Sequence, residues 1–368
     1  MIDLVCGARP NFMKVDPVVR SLPEGLAFRL VHTGQHYDRE MSQAFFEQLE
    51  LPAPDINLGA GSASNTEQTA RIMIEYEKVL TQGSSGLPEL VVVVGDVNST
   101  VACALTAARY NVPVAHVEAG LRSFDRRMPE EINRVLTDQI ASLLLITSPE
   151  ARGNLVREGR SSETVVMVGN PMIDTLLRLL PRAREAGARC PSGPFCLVTL
   201  HRPSNVDDPA RLARIVAAMA ATPDVEFLFP AHPRTMAAFE GSGLLSSLPG
   251  NLDLRKPMDY LSFIGLEERA SAVLTDSGGV QEETSVLGVP CVTLRENTER
   301  PVTLSIGTNV LCPEPDELPG VLGEAIARRP AHPASIPFWD GRAGERIARA
   351  ICSFLDRDGP GPDGGDSR

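Results

Sequence analysis

The sequence predicts an α/β fold made of two Rossmann-like domains. Three observations carry that expectation: short apolar runs alternate with amphipathic stretches, one run is almost wholly β-branched, and the alternation stops and restarts near the middle of the chain. Apolar runs of four to eight residues read as strands, and a strand covered on both faces has no polar alternation. Strand–helix alternation is the pattern of a doubly wound parallel sheet.

In chain order, "IDLVCG" is a first strand and "FMKVDPVVRSL" a helix, then "AFRLVHTG" a second strand and "DREMSQAFFEQL" an amphipathic helix. "ELVVVVGD" is the fully buried strand, and "STVACALTAARY" a helix with Ser99 or Thr100 expected near its cap. "VPVAHVE", "SLLLIT" and "ETVVMVGN" supply further strands. "RAREAGARCPSGP" breaks the pattern, after which "FCLVTLH", "VEFLFPAH", "LDLRKP", "SAVLTDSGG" and "PCVTLRE" form a second strand series. The expected domains are residues 1–170, joined by a last helix at about 341–356, and residues 171–340. Residues 357–368, rich in Gly, Pro and Asp, are expected to be a disordered tail.

The 368 residues suffice for two cores, and a net charge of −12 argues against a nucleic-acid binder or a protein of anionic membrane surfaces. Seven cysteines show no paired spacing, so neither a zinc ribbon nor a disulfide framework is indicated. "MIDLVCGARPNF" lacks the apolar region of a signal peptide, and no apolar run reaches the length of a membrane helix. A cytoplasmic protein without metal is expected.

In open parallel sheets ligands bind beyond the carboxyl ends of the strands. There the sequence places Gly7, Arg9 and Lys14, then Gly95 and Asp96, then Glu118, with "PEE" (Glu130, Glu131) one loop later. The second half offers His201 and Arg202, His232, and "TDSGGVQEE". "HVEAGLRSFDRRMPEEINR" packs four carboxylates and four arginines into one such position. Asp96 reads either as a desolvated functional acid or as a helix cap, and Glu118 has no helix to cap. Glu130 and Glu131 after Pro129 suit a helix N-terminus on their own. His201 beside Arg202 is either functional or a solvated strand end, and His116 reads as a core histidine. In "TDSGGVQEE" the N–H groups of Gly278 and Gly279 would face a phosphate at a helix N-terminus, and Glu283 could accept from ribose hydroxyls. The alternative is a plain strand–helix turn capped by Ser277. The spacing in "TDSGGVQEE" fits neither GxGxxG nor the Walker pattern, and "GARPNF" after the first strand lacks the second and third glycines of a nicotinamide fingerprint, so no nicotinamide or other cofactor is expected.

Taken together, "GARPNFMK", "TGQHYDREMSQAFFEQL", "GDVNST", "HVEAGLRS", "PEEINR", "GNPMIDTL", "TLHRPSN", "TDSGGVQEE" and "ENTERP…GTNV" resemble the non-hydrolysing UDP-N-acetylglucosamine 2-epimerases of bacteria and archaea. The resemblance implies a GT-B arrangement with the nucleotide sugar in an interdomain cleft. It places Ser277, Gly278 and Gly279 at phosphate and Glu283 at ribose. It sets Arg9 and Lys14 opposite the phosphates, Arg300 in the "TERP" loop and Phe263 at the uracil pocket. Asp96, Glu118, Glu131 and His201 match the positions the family uses for catalysis.

That family's chemistry removes UDP from carbon 1 and a proton from carbon 2, leaving a 2-acetamidoglucal, then re-adds UDP. Cations at the departing pyrophosphate and carboxylates near carbons 1 and 2 are what such an elimination needs. Where many members read "HRREN" and "TERPE", this chain has "HRPSN" and Val302. These changes put in question an activating second UDP-GlcNAc site, for which Gln35, Arg71, Arg202 and His232 are the candidate residues. They also leave open a related UDP-sugar, or release of free N-acetylmannosamine. A glycosyltransferase is the rival from another class. A homodimer is implied by the resemblance alone.

Overall fold

A computed structural model describes residues 1–7, 9–34, 48–83, 86–186, 190–191 and 193–358. The chain divides into two compact units. Met1–Thr175 with the segment from Pro337 onward form the first, and Leu176–Ile336 the second.

In the first unit the strands are β1 (Ile2–Cys6), β2 (Phe28–His32), β3 (Ile56–Asn57), β4 (Leu90–Val94), β5 (Val114–Val117), β6 (Leu143–Ile146) and β7 (Val165–Met167). Its helices are α1 (Arg9–Ser21), α2 (Asn65–Gln82), α3 (Asn98–Arg109), α4 (Pro129–Ile140) and α5 (Pro149–Arg157), and α6 (Pro171–Glu185) leaves it. Among the described residues the sheet order is β3-β2-β1-β4-β5-β6-β7, all parallel. β4 is buried at every position, as its "LVVVV" requires. Ile72, Tyr76, Ala102, Ala107 and Leu155 cover the sheet from the helices.

The second unit carries β8 (Phe195–Thr199), α7 (Pro203–Val206), α8 (Pro209–Ala220), β9 (Glu226–Pro230) and α9 (Pro233–Ser242). β10 (Leu252–Arg255), α10 (Tyr260–Arg269), β11 (Ala272–Thr275), α11 (Gly278–Leu287) and β12 (Cys291–Thr293) follow. α12 (Pro301–Ser305), β13 (Asn309–Leu311) and α13 (Leu318–Ala327) complete it. The order β10-β9-β8-β11-β12-β13 is again wholly parallel among the described residues. Each sheet therefore reverses its winding once at a central pair, β1/β4 in the first unit and β8/β11 in the second. Such a reversal opens a crevice at the strand ends, where a parallel sheet binds ligands.

α14 (Ala343–Asp358) belongs to the first unit and packs against α1. Asp174 of α6 accepts the Gly344 N–H at 2.8 Å, and Trp339 donates its indole N–H to the Thr147 carbonyl at 2.9 Å. α6 runs without interruption across the boundary between the units, which falls between Thr175 and Leu176. Ser99 and Thr100 lie in the first turn of α3, near its cap, though neither is the cap itself. The N-cap of α3 is Val97, without a side-chain bond, while the Thr100 hydroxyl donates to the Val94 carbonyl and Ser99 pairs with Thr33. The expected tail beyond residue 358 and most of the helix read in "DREMSQAFFEQL" lie outside the described residues.

Candidate active site

In the first unit the crevice forms around Gly95. Its φ of 69° lies in the region open to glycine, and a Cβ there would come within 3.1 Å of Glu118 Oε2 and 3.5 Å of both Asn11 Nδ2 and Lys14 Nζ. Three side chains from two other elements thus converge on a residue that has none. Lys14, on α1, is buried and ion-paired with buried Glu118. Asn11, one turn earlier, donates to the Val94 carbonyl at 3.0 Å and accepts the Gly7 N–H. Glu118 follows β5 at φ 72°, a left-handed conformation that costs a non-glycine residue energy and is often found at functional sites.

Arg134 is the hub of the charged knot. Its guanidinium is buried and reaches both Asp96, on the β4 loop, and Glu131 on its own helix, the latter at 2.5 Å. Asp96 keeps about a quarter of its side chain accessible, at 27%. The N-cap position of α3 is Val97, one residue after Asp96. Glu131 is engaged on all sides. It accepts the Ser123 N–H and hydroxyl and the Phe124 N–H, each at 2.9 Å, besides Arg134. Glu130 is exposed in the first turn of α4. Below them His116 is wholly buried between the Gly95 carbonyl and Asp138, and Asp138 also holds the Gly120 N–H and Arg122. Burial opposes the charge on Asp138, but His116 and then Arg122 outweigh it and hold its carboxyl below the usual range. His116 is the core histidine expected, and its partner network fixes the loop that carries Glu118.

In the second unit the crevice lies between the ends of β8 and β11. Asp276, fully buried after β11, accepts the N–H groups of His201 and Arg202 at 3.1 and 2.9 Å, and the Asn205 amide at 3.1 Å. His201 Nδ1 stands 3.3 Å from its Oδ1. Ser277 occupies the N-cap of α11 yet makes no side-chain cap bond, so the simple capped turn is not what forms. Gly278 has no room for a side chain: a Cβ would sit 2.7 Å from Glu299 Oε1 and 3.0 Å from Arg300 Nη1. Arg300 is buried between Glu299 and Glu282, at 2.7 and 2.8 Å, and Arg295 reaches Glu299 at 2.8 Å. A helix N-terminus without a side-chain cap leaves N–H groups and a dipole end that favour an anion. Glu283, one turn into α11, accepts the Tyr260 hydroxyl at 2.5 Å, and burial pushes its carboxyl up to about 8. Phe263 is half-buried against the core of this unit, and Gly279 half-buried in the first turn of α11.

The remaining candidates are dispersed. Arg9 opens α1. Gln35 lies outside the described residues. Arg71 sits on α2 of the first unit, bonded to Glu67 and the Ala60 carbonyl. In the second unit Arg202 Nε donates to the Asp276 carbonyl at 2.9 Å, while exposed His232 caps α9 with its ring 6.3 Å from that of His201. Sequence reasoning missed Arg134, Asn11, Asp138 and Asp276 as organisers. Arg134 stands three residues after Glu131, one helical turn, and that spacing was the available signal. Among the described residues no group of three His, Cys, Asp or Glu side chains could hold a metal ion, and no helix is long and apolar enough to cross a membrane.

The chain is 40% identical over 363 residues to a UDP-N-acetylglucosamine 2-epimerase of Methanocaldococcus jannaschii, covering 95% of this chain and 98% of that protein. It is 42% identical over 313 residues to the UDP-2,3-diacetamido-2,3-dideoxy-D-glucuronate 2-epimerase of Pseudomonas aeruginosa, with 83% and 86% coverage. The crystal structure of the M. jannaschii UDP-GlcNAc 2-epimerase in complex with UDP-GlcNAc and UDP superposes with a TM-score of 0.88 at 40% identity, covering 96% and 99% of the two chains. The profile of UDP-N-acetylglucosamine 2-epimerases matches residues 22–352. The chain therefore belongs to the UDP-N-acetylglucosamine 2-epimerase family.

Proposed function

We propose that the protein interconverts UDP-GlcNAc and UDP-ManNAc by eliminating and re-adding UDP. The observation that carries this reading is the pairing of Asp96 and Glu118 with Arg134 and Lys14 at one sheet's reversal point. Direct removal of the carbon 2 proton is unfavourable because no carbonyl lies next to it. Elimination solves this: the C2–H electrons form the C1=C2 double bond as the C1–O bond breaks and UDP leaves. Re-addition after protonation from the other face inverts carbon 2.

Each group then has a task. Asp96 and Glu118 exchange the proton and support positive charge at carbon 1. Lys14, expected opposite the phosphates, is better read from its ion pair as the cation that pairs with Glu118 and aims it. Glu131, with its oxygens occupied, anchors Arg134 and the loop rather than carrying a proton. In the second unit Ser277, Gly278 and Gly279, with Arg300 close by, hold the pyrophosphate, Glu283 the ribose and Phe263 the uracil side. His201 stabilises or protonates the leaving phosphate. The reading requires both units to act on one substrate molecule, as the GT-B arrangement would allow.

Incubation with UDP-GlcNAc in D₂O, followed by proton NMR, tests it. UDP-ManNAc bearing deuterium at carbon 2 is expected, and unchanged UDP-GlcNAc without exchange would overturn it. Free ManNAc with stoichiometric UDP would mark a hydrolysing enzyme. The Pseudomonas relative favours a second reading, a diacetamido-uronic UDP-sugar. The same experiment with that substrate decides, the larger kcat/KM naming the sugar. We further propose a homodimer through the first unit, where Phe124, Ile132 and Leu136 form an exposed apolar strip on and before α4. Light scattering at the mass of one 39.6 kDa chain would refute it. The scattered unpaired cysteines suit a reducing cytoplasm.

A further inference from the structure

Asp96 is gripped twice by the same helix. Arg134 of α4 holds its carboxylate, and Asn133, the residue before Arg134, donates its side-chain amide to the Asp96 carbonyl at 2.9 Å. The second amide hydrogen of Asn133 reaches Asn98 Oδ1 at 3.3 Å. A backbone carbonyl only accepts, so the nitrogen of Asn133 must face Asp96 and cannot trade places with its oxygen. The same polarity runs outward from there. Asn98, buried at the start of α3, gives its own nitrogen to Gln68 Oε1 at 2.9 Å and Asn65 Oδ1 at 3.2 Å. Gln68, buried on α2, donates to the Gly61 carbonyl at 2.8 Å. Three helices and the loop after β3 thus share one chain of amides, closed by a carbonyl acceptor at each end.

The loop that carries Asp96 needs such a hold. Asp96 follows Gly95, whose φ of 69° only glycine adopts freely, and its own side chain is partly open. Val117 and His116 fix Gly95, through its N–H at 3.0 Å and its carbonyl at 2.8 Å. Asn133 anchors the next residue along. We propose that Asn133 is a positioning residue for Asp96, fixing its backbone so that the carboxylate gripped by Arg134 is presented at one angle. An amide suits the task, because it donates without setting a second cation beside that carboxylate. The proposal rests on the acid/base role given to Asp96 above.

Asn133→Ala removes the donor, and Asn133→Asp keeps the shape but turns an acceptor toward the Asp96 carbonyl. Asn133 is partly exposed, so both variants should fold, and either one decides. With UDP-GlcNAc as substrate, kcat should fall ~10–10²-fold, the cost of misplacing a reacting group by about 1 Å. KM and the UDP dissociation constant should stay within about three-fold. A helix-packing role would lower Tm without that split. The double variant with Asp96→Asn then separates action through Asp96 from action on its own. If Asn133 works through Asp96, adding Asn133→Ala to Asp96→Asn should lower kcat by less than about two-fold. Losses that multiply, or a normal kcat in a folded Asn133 variant, overturn the proposal. Absence of carbon 2 exchange in the wild type, or normal turnover in Asp96→Asn alone, would instead sink the role given to Asp96, and this proposal with it.

Discussion

The two units solve the same topological problem with opposite electrostatics. At the β1/β4 reversal, carboxylates are paired with cations: Lys14 with Glu118, and Arg134 with Asp96 and Glu131. At the β8/β11 reversal Asp276 is held mainly by N–H groups, and Glu283 and Glu267 are acids that burial drives toward their neutral forms. A buried ionised carboxylate needs a counter-charge, whereas a neutral one needs only donors or an apolar wall. The first arrangement sets a cation against each carboxylate, as the proposed elimination at carbons 1 and 2 needs. In the second, Arg300 and Arg295 match Glu282 and Glu299, N–H groups hold Asp276, and a neutral Glu283 adds no further negative charge beside the proposed pyrophosphate turn.

The comparison breaks first at Glu118. Glu118→Gln removes the charge that Lys14 balances and leaves a buried ammonium, so both turnover and stability should suffer. The expected loss of kcat is ~10²–10⁴-fold, with UDP affinity by calorimetry little changed because the residues proposed to hold the nucleotide belong to the other unit. Breaking one partner of a buried pair costs about 3–5 kcal/mol, which thermal unfolding would register. Near-normal carbon 2 exchange would remove Glu118 from the reaction. Asp96→Asn should lower kcat comparably with a smaller stability loss, since Asp96 is partly exposed and Arg134 retains Glu131.

Glu283→Gln tests the opposite unit. Here kcat should hold while KM and the UDP dissociation constant rise. Above pH 8, where Glu283 is ionised, exchanging a charged acceptor for a neutral one forfeits about 1.5 kcal/mol, roughly ten-fold in affinity. Wild-type UDP affinity should itself improve as pH rises toward 8, where Glu283 ionises and accepts fully from the ribose. Glu283→Gln should lose that dependence. A kcat defect with unchanged affinity would move Glu283 from binding to chemistry.

Much of this contrast was legible in sequence, for a physical reason. A strand buried on both faces must be apolar, so "VVVV" located β4, and whatever polar residue follows such a strand lies at the sheet's binding edge. Asp96, Glu118, His201 and Ser277 were found in that way. What the one-dimensional pattern hides is partnership across elements. Lys14 and Glu118 are 104 residues apart, and His201 and Asp276 are 75 apart, so no period links them. β3, two residues long, is too short for any alternation to register. The joint between the domains was read as a break in pattern, yet α6 continues through the boundary, because "PMIDTLLRLLPRARE" keeps a helical apolar face and tolerates Pro181 inside it.

The smallest expected effect sharpens the comparison where the second unit is least comfortable. Glu267 on α10 is completely buried, and neither carboxylate oxygen has a hydrogen-bond partner among the described residues. Burial, and then the nearby Glu283, push its carboxyl well above the ordinary range. Below the ordinary carboxylate value of 4.5 both folded and unfolded chains hold these protons. As pH rises the unfolded chain releases them first, so the native state holds more protons and loses relative stability, for Glu283 up to about 8. Glu267→Met removes an unpaired polar group while keeping side-chain volume. It should therefore raise Tm at pH 8 by roughly 2–4 °C for each kcal/mol recovered, and by less at pH 5. The Tm difference between variant and wild type, measured across that interval, cancels the titrating groups that Glu267 does not interact with, leaving Glu267 and its neighbour Glu283. A difference that stays flat with pH would mean that Glu267 is charged in the folded protein, and the contrast between the units would shrink to the anion site alone.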